Sequence, residues 1–146
     1  MANARYFEDF AVGETRRTNA RTITEADVVN YAGVSGDFHP YHMDAAFAAN
    51  AEFGERIAHG LLVMSIAAAL ESPDNPHSFM YGFDGMRFVA ATRFGDTIAV
   101  ETEVTDTRIK SDRYGIVTKR FEVIDESDEL KVVCDKLDLV ERGDDD

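Results

Sequence analysis

Between Leu61 and Leu70 the chain carries one polar side chain, Ser65, and no charge. A helix of that composition is apolar on every side and has to be buried against other elements. It falls short of the roughly 20 apolar residues that a membrane span requires. What can bury it comes later in the chain, where the hydrophobic period changes to two. Ile98, Val100, Thr102 and Val104 fall on one face of a strand, with Glu101 and Glu103 on the other, the alternation of a half-buried antiparallel sheet. Arg113 to Ile124 and Leu130 to Val140 repeat the pattern on either side of a polar turn, Asp125-Glu126-Ser127-Asp128, and Met86 to Thr92 supplies a strand before them. A buried helix followed by a sheet able to wrap it is an α+β arrangement.

The first third of the chain is more broken. Thr15 to Thr22 alternates weakly and is a candidate first strand. Thr24-Glu25-Ala26-Asp27 has the side-chain cap and early acidic residues of a helix start, predicting a short helix to about Ala32. Asp44 caps a second brief helix through Ala49. No repeat, linker or shift in composition divides the chain, so residues 1–146 are expected to form one domain, with about 141–146 as a frayed acidic tail.

Charge narrows the function classes. With 28 acidic residues against 15 basic ones the net charge is −13. A general nucleic-acid binder needs a basic face to neutralise phosphates, so that class is excluded. The surface is rich in Asp and poor in Lys, as in proteins of salt-loving organisms, where salt screens self-repulsion. The one cysteine, Cys134, has no partner for an internal disulfide. No basic start leads into a long apolar run, so no membrane association and a cytoplasmic location are expected.

The chemistry concentrates in Asp37-Phe38-His39-Pro40-Tyr41-His42, with His59-Gly60 further on. A carboxylate and an imidazole held together can share a water molecule and move protons at neutral pH. Pro40 fixes its own φ and pushes His39 out of the helical region, which predicts a rigid extended loop. Asp37, His39, His42 and His59 match no standard zinc spacing, so no metal and no cofactor are expected. Gly60 begins the apolar helix, whose first backbone N–H groups are unpaired and partly positive. Those donors suit a developing oxyanion, and a residue without a side chain lets an oxygen approach them.

Tyr31 to His42, continuing through Met43-Asp44-Ala45-Ala46-Phe47-Ala48 to Arg56-Ile57-Ala58-His59-Gly60-Leu61-Leu62, resembles the hydratase motif of the MaoC-like dehydratases, the (R)-specific enoyl-CoA hydratase group. Met86-Arg87-Phe88-Val89-Ala90 and Gly95-Asp96-Thr97-Ile98 resemble the strand and turn that follow, so the likeness runs from about Tyr6 to Val140. The resemblance implies a hot-dog fold, a long central helix wrapped by an antiparallel sheet. It also implies a hydro-lyase that reversibly adds water to a trans-2-enoyl-CoA to give the (R)-3-hydroxyacyl-CoA. Asp37 and His42 fall on the family's acid/base pair, and Gly60 on its oxyanion donor.

Two positions depart from the pattern: His39 stands where asparagine is usual, and Ala68 where some members have serine. His39, His59, Tyr41, Phe38 and Arg87 are candidate substrate contacts. For the phosphates of coenzyme A the candidate cations are Arg56, Arg87, Arg93, Lys110 and Arg113. An acyl tunnel between helix and sheet would be shaped by Phe38, Tyr41, Phe53, Leu62 and Phe88. The expected partners are an acyl-CoA thioester and a second copy of the chain, in a homodimer or higher homo-oligomer that removes a sheet edge. The competing readings are a hot-dog thioesterase and a non-catalytic acyl-CoA binding or regulatory protein.

Overall fold

The computed structural model describes residues 4–72 and 74–143. The central helix α4, Gly60–Glu71, lies against an antiparallel sheet, as the hot-dog arrangement requires. The sheet has six strands, β1 (Thr15–Arg17), β2 (Arg21–Thr22), β3 (Ser78–Phe88), β4 (Thr97–Ile109), β5 (Tyr114–Ile124) and β6 (Leu130–Glu141). They run in the order β1-β4-β5-β6-β3, with β2 also on β4. The candidate first strand is thus two short pieces, and the strand placed at Met86 to Thr92 begins earlier and ends at Phe88. The other long strands lie where the period-two pattern puts them.

Burial follows that pattern. On β4, Ile98, Val100, Thr102 and Val104 all face inward. Ile98 and Val100 meet Val63, Met64 and Ala67 of α4, with Phe121, Val123, Val132 and Cys134 from β5 and β6 completing the main core, while Val104 packs with Val117 and Val140 in a second, smaller cluster. Fully burying each of the larger side chains contributes about 1.5–3 kcal/mol. Burial raises the Cys134 thiol to about 11 and keeps it protonated. One stripe of α4 differs from expectation: Leu61, Ser65 and Ala69 are exposed, while the sheet and α1 cover the rest of the helix.

Three shorter helices carry the chain to α4. Helix α1, Glu25–Ser35, starts with a capping box in which Asp27 N–H donates to Thr24 Oγ1 (3.2 Å) and Thr24 N–H donates to the Asp27 carboxylate (2.9 Å). It ends on Gly36, whose φ of 79° is left-handed and suits glycine. Helix α2, Pro40–Met43, and α3, Ala45–Ala49, follow, the latter capped by Asp44 as expected. The segment predicted to be extended is so only to His39, because proline is preorganised for the first helical position and starts one turn there. At the other end β6 includes Glu141, whose amide is bonded to His77 O. Asp144-Asp145-Asp146, the end of the expected tail, lies outside the described residues. Among the described residues no helix is long and apolar enough to cross a membrane.

Candidate active site

Helix α1, the α2 turn and the start of α4 converge on one cleft of about 370 Å³, lined among others by Tyr31, Asp37, His42, Phe53, His59, Gly60, Phe88 and Val132. Local chemistry sets each polar group. Ser35 Oγ donates to Tyr31 O (2.7 Å) and accepts from Asp37 N–H (3.1 Å), fastening the residue after the Gly36 bend. The Asp37 carboxylate accepts from His39 N–H (3.2 Å), an Asx turn that aims it while leaving it exposed.

His42 is partly buried, and its Nδ1 lies 2.7 Å from Ile57 O. A carbonyl only accepts, so Nδ1 carries the proton and Nε2 presents a lone pair. Ile57 N–H donates back to Tyr41 O (3.0 Å), and Ala58 N–H to Thr92 O (2.8 Å). The chain before α4 is therefore tied both to the α2 turn and to the segment after β3. Burial pushes the His42 pKa below its ordinary 6.5, with His59 and His39 adding to the effect against the opposing pull of the Ile57 carbonyl and Asp37. Neutral imidazole is the form favoured at neutral pH.

A carboxylate oxygen of Asp37 and a ring nitrogen from each of His42 and His59 lie within 4.8 Å of one another. Two hydrogen bonds of about 2.8 Å meeting at one water oxygen bridge such a gap. The same groups are poorly disposed toward a metal ion. The His42 and His59 rings stack with centroids 3.8 Å apart and planes 27° from parallel. An ion bound about 2.1 Å from an imidazole nitrogen must lie in the ring plane, and these two planes do not meet at that distance.

Gly60 opens α4, and among the described residues Gly60, Leu61 and Leu62 N–H meet no backbone acceptor, the first closing bond being Val63 N–H to His59 O (3.1 Å). The space beside Gly60 is not empty. A Cβ there would lie 2.8 Å from the Phe88 ring, so glycine is required for the aromatic wall to close on the helix end. Of the remaining candidates, His59 (3% exposed) enters the site, whereas His39, Tyr41, Phe38 and Arg87 do not line the cleft. His39 Nδ1 accepts from Tyr41 N–H (3.1 Å) as the N-cap of α2. Tyr41 stacks on His39 and meets Phe47 and Phe53 edge-on. Phe38 is exposed. Leu62, offered as tunnel wall, turns into the core, and Ala68 borders a separate groove on the outer side of α4. Sequence reasoning missed Ile57, Thr92 and Val132. The first two act through main-chain carbonyls, which leave no side-chain signal, and Val132 reads as ordinary core.

Residues 8–126 match the MaoC like domain family. The chain belongs to the MaoC-like dehydratase family. Among its MaoC-like relatives, the protein MaoC of Klebsiella aerogenes is 40% identical over 75% of this chain and 33% of its own length. The chain thus spans about a third of that protein. An (R)-specific enoyl-CoA hydratase of Rhodospirillum rubrum is 35% identical over 68% of this chain and 69% of its own. A solved monoamine oxidase regulatory protein from Archaeoglobus fulgius superposes with a TM-score of 0.90 at 32% identity, covering 97% of each chain.

Proposed function

We propose that this MaoC-like protein reversibly hydrates a trans-2-enoyl-CoA to the (R)-3-hydroxyacyl-CoA. The observation that carries the reading is the close approach of the Asp37 carboxylate and the His42 imidazole in a cleft that also contains Gly60 at the uncapped start of α4. In this reading the two side chains grip one water. His42 Nε2 takes a proton as the water oxygen bonds the β-carbon, electrons shift through the α-carbon onto the thioester oxygen, and Gly60 N–H receives the developing charge. The proton then passes to the α-carbon as the carbonyl re-forms, so all three atoms of water are accounted for.

For coenzyme A, Arg87 is the best-supported cation. Arg56 and Arg93 are paired with Glu25 and Glu55, and Arg113 with Glu141. Arg87 is exposed, donates only to its own neighbour's carbonyl, and adjoins Phe88 at the cleft wall. A homodimer is favoured by β3, an edge strand with Phe79, Met80 and Tyr81 half-exposed. A saline environment is favoured by lysine placement. Lys119, Lys131 and Lys136 are buried, leaving Lys110 as the one exposed lysine on a chain of net charge −13.

The test is the fall in enoyl-thioester absorbance of crotonyl-CoA at low and high salt, with chiral analysis of the product. Wild type is expected to give the (R) alcohol, and Asp37→Asn and His42→Ala to lose about 10²–10⁴-fold in kcat/KM. Release of free CoA would point to a thioesterase, and tight binding without turnover to an acyl-CoA-binding regulator; either result rejects the hydratase.

A further inference from the structure

Two histidines occupy equivalent positions in this molecule and behave differently. His39 precedes α2 with φ −55° and ψ 140°, and His59 precedes α4 with φ −59° and ψ 134°. Both are N-caps with nearly the same backbone. His39 turns its Nδ1 onto the first N–H that its helix offers, that of Tyr41, since Pro40 has none, at 3.1 Å. His59 makes no side-chain cap. Its ring is drawn inward, where Nε2 lies 2.8 Å from Asp37 O and the faces meet Tyr31 (centroids 4.7 Å) and His42 (3.8 Å).

The consequences are read from elementary hydrogen-bond chemistry. The Asp37 carbonyl accepts only, so the His59 proton is on Nε2 and Nδ1 holds a lone pair. That Nδ1 is buried and has no partner. Folding does not favour an unmet acceptor in the interior, and the rotamer adopted by His39 at the same backbone angles would satisfy it while capping α4. The observed orientation gives up a cap and leaves an acceptor unpaired.

We propose that His59 is a positioning residue of the active site: its Nε2–H holds the main chain of Asp37, its ring face holds His42, and its absence from the cap keeps the first N–H groups of α4 free for the substrate oxygen. The inference deepens the hydratase reading and rests on it. Asp37 reaches the cleft from the loop before α2 and His42 from α2 itself, and the His59 side chain touches both. A third histidine is thereby assigned a task in which it neither donates nor receives the reacting proton.

His59→Asn is the deciding variant. Asparagine is among the best N-caps, so it is expected to turn onto the α4 amides, cover the donors and release both Asp37 and His42. The expected result is a melting temperature equal to or above wild type with a loss of about tenfold or more in kcat for crotonyl-CoA, and a shifted acid limb in the pH profile. His59→Phe, which keeps the ring but neither bond nor cap, should retain more kcat than His59→Asn while being less stable. A purely structural histidine would make activity follow stability across the two variants, and that result overturns the proposal, as does wild-type kcat in His59→Asn. Nitrogen-15 NMR of the histidines separates this from the hydratase reading. His59 protonated at Nε2 and His42 at Nδ1 support the clamp even if the wild type never hydrates crotonyl-CoA, in which case the hydratase reading alone fails. His59 protonated at Nδ1 overturns the clamp whatever the activity.

Discussion

The two ends of α4, a helix of twelve residues, are built on opposite principles. At the C-terminal end the buried charges among the described residues are paired. Glu71, fully buried, bonds Lys119 (2.8 Å) and Lys136, and both lysines also pair with Asp138 at 3.2 and 3.1 Å. Arg16 donates to the Glu71 main-chain carbonyl at 2.7 Å, satisfying one of the helix's last acceptors. At the N-terminal end the cap is withheld, an imidazole nitrogen goes unpaired and a carboxylate faces solvent. Lys119 and Lys136 sit directly opposite on β5 and β6, a repulsive pair until carboxylates are placed between them. Satisfied groups hold the helix still; unsatisfied ones are available to a ligand.

The Asp37→Asn and His42→Ala losses given above are the largest effects expected, and they bear on the N-terminal end alone, with melting temperature little changed. Next comes Glu71→Gln, which leaves Lys119 and Lys136 to share Asp138. Breaking a buried ion pair typically costs about 3–5 kcal/mol, to be read as a lower urea midpoint, while turnover per folded molecule stays near wild type because the cleft does not reach Glu71. Loss of turnover in molecules that remain folded would abolish the division of labour between the ends.

A smaller effect sharpens the N-terminal half of the comparison. Gly60→Ala sets a methyl within 2.8 Å of the Phe88 ring, and the displaced aromatic wall is expected to lower kcat/KM about tenfold. Adding Phe88→Ala should recover part of that loss, since the amide itself is intact; no recovery would mean the glycine acts through backbone conformation instead.

The smallest effects separate the ends by pH. Burial raises the Glu71 pKa, but Lys119 and Lys136 outweigh it and hold the carboxyl below its ordinary 4.5. A depressed carboxyl contributes stability that is present above the unfolded value and lost as pH falls through the folded one. The stability difference between wild type and Glu71→Gln should thus persist at neutral pH and shrink below about 4.5. His42, also depressed, must be neutral to accept a proton, so the acid limb of kcat/KM should lie below 6.5. One end then titrates in stability and the other in activity.

Much of this molecule was legible in its residues because the forces concerned are local or periodic. The Thr24 and Asp44 caps, the apolar run of α4 and the alternation along β4, β5 and β6 all depend on neighbours within a few positions, and each appears where the pattern places it. Interactions that join distant parts of the chain had no such signature. Nothing near Ile57 marks its carbonyl as the anchor of His42. Nothing in Glu71, Lys119, Lys136 and Asp138 announces that four charges in three elements close a buried ring. His39 and His59 are alike as residues and as backbone, and only packing made one a cap and the other an inward-facing contact of Asp37 and His42. Sequence by itself determined where the central helix and the long strands β4, β5 and β6 lie and which polar residues could do chemistry, because those choices minimise local energy. Tertiary structure alone decided which polar groups are satisfied and which are left open, because a hydrogen-bond partner is found only when the whole chain has closed around it.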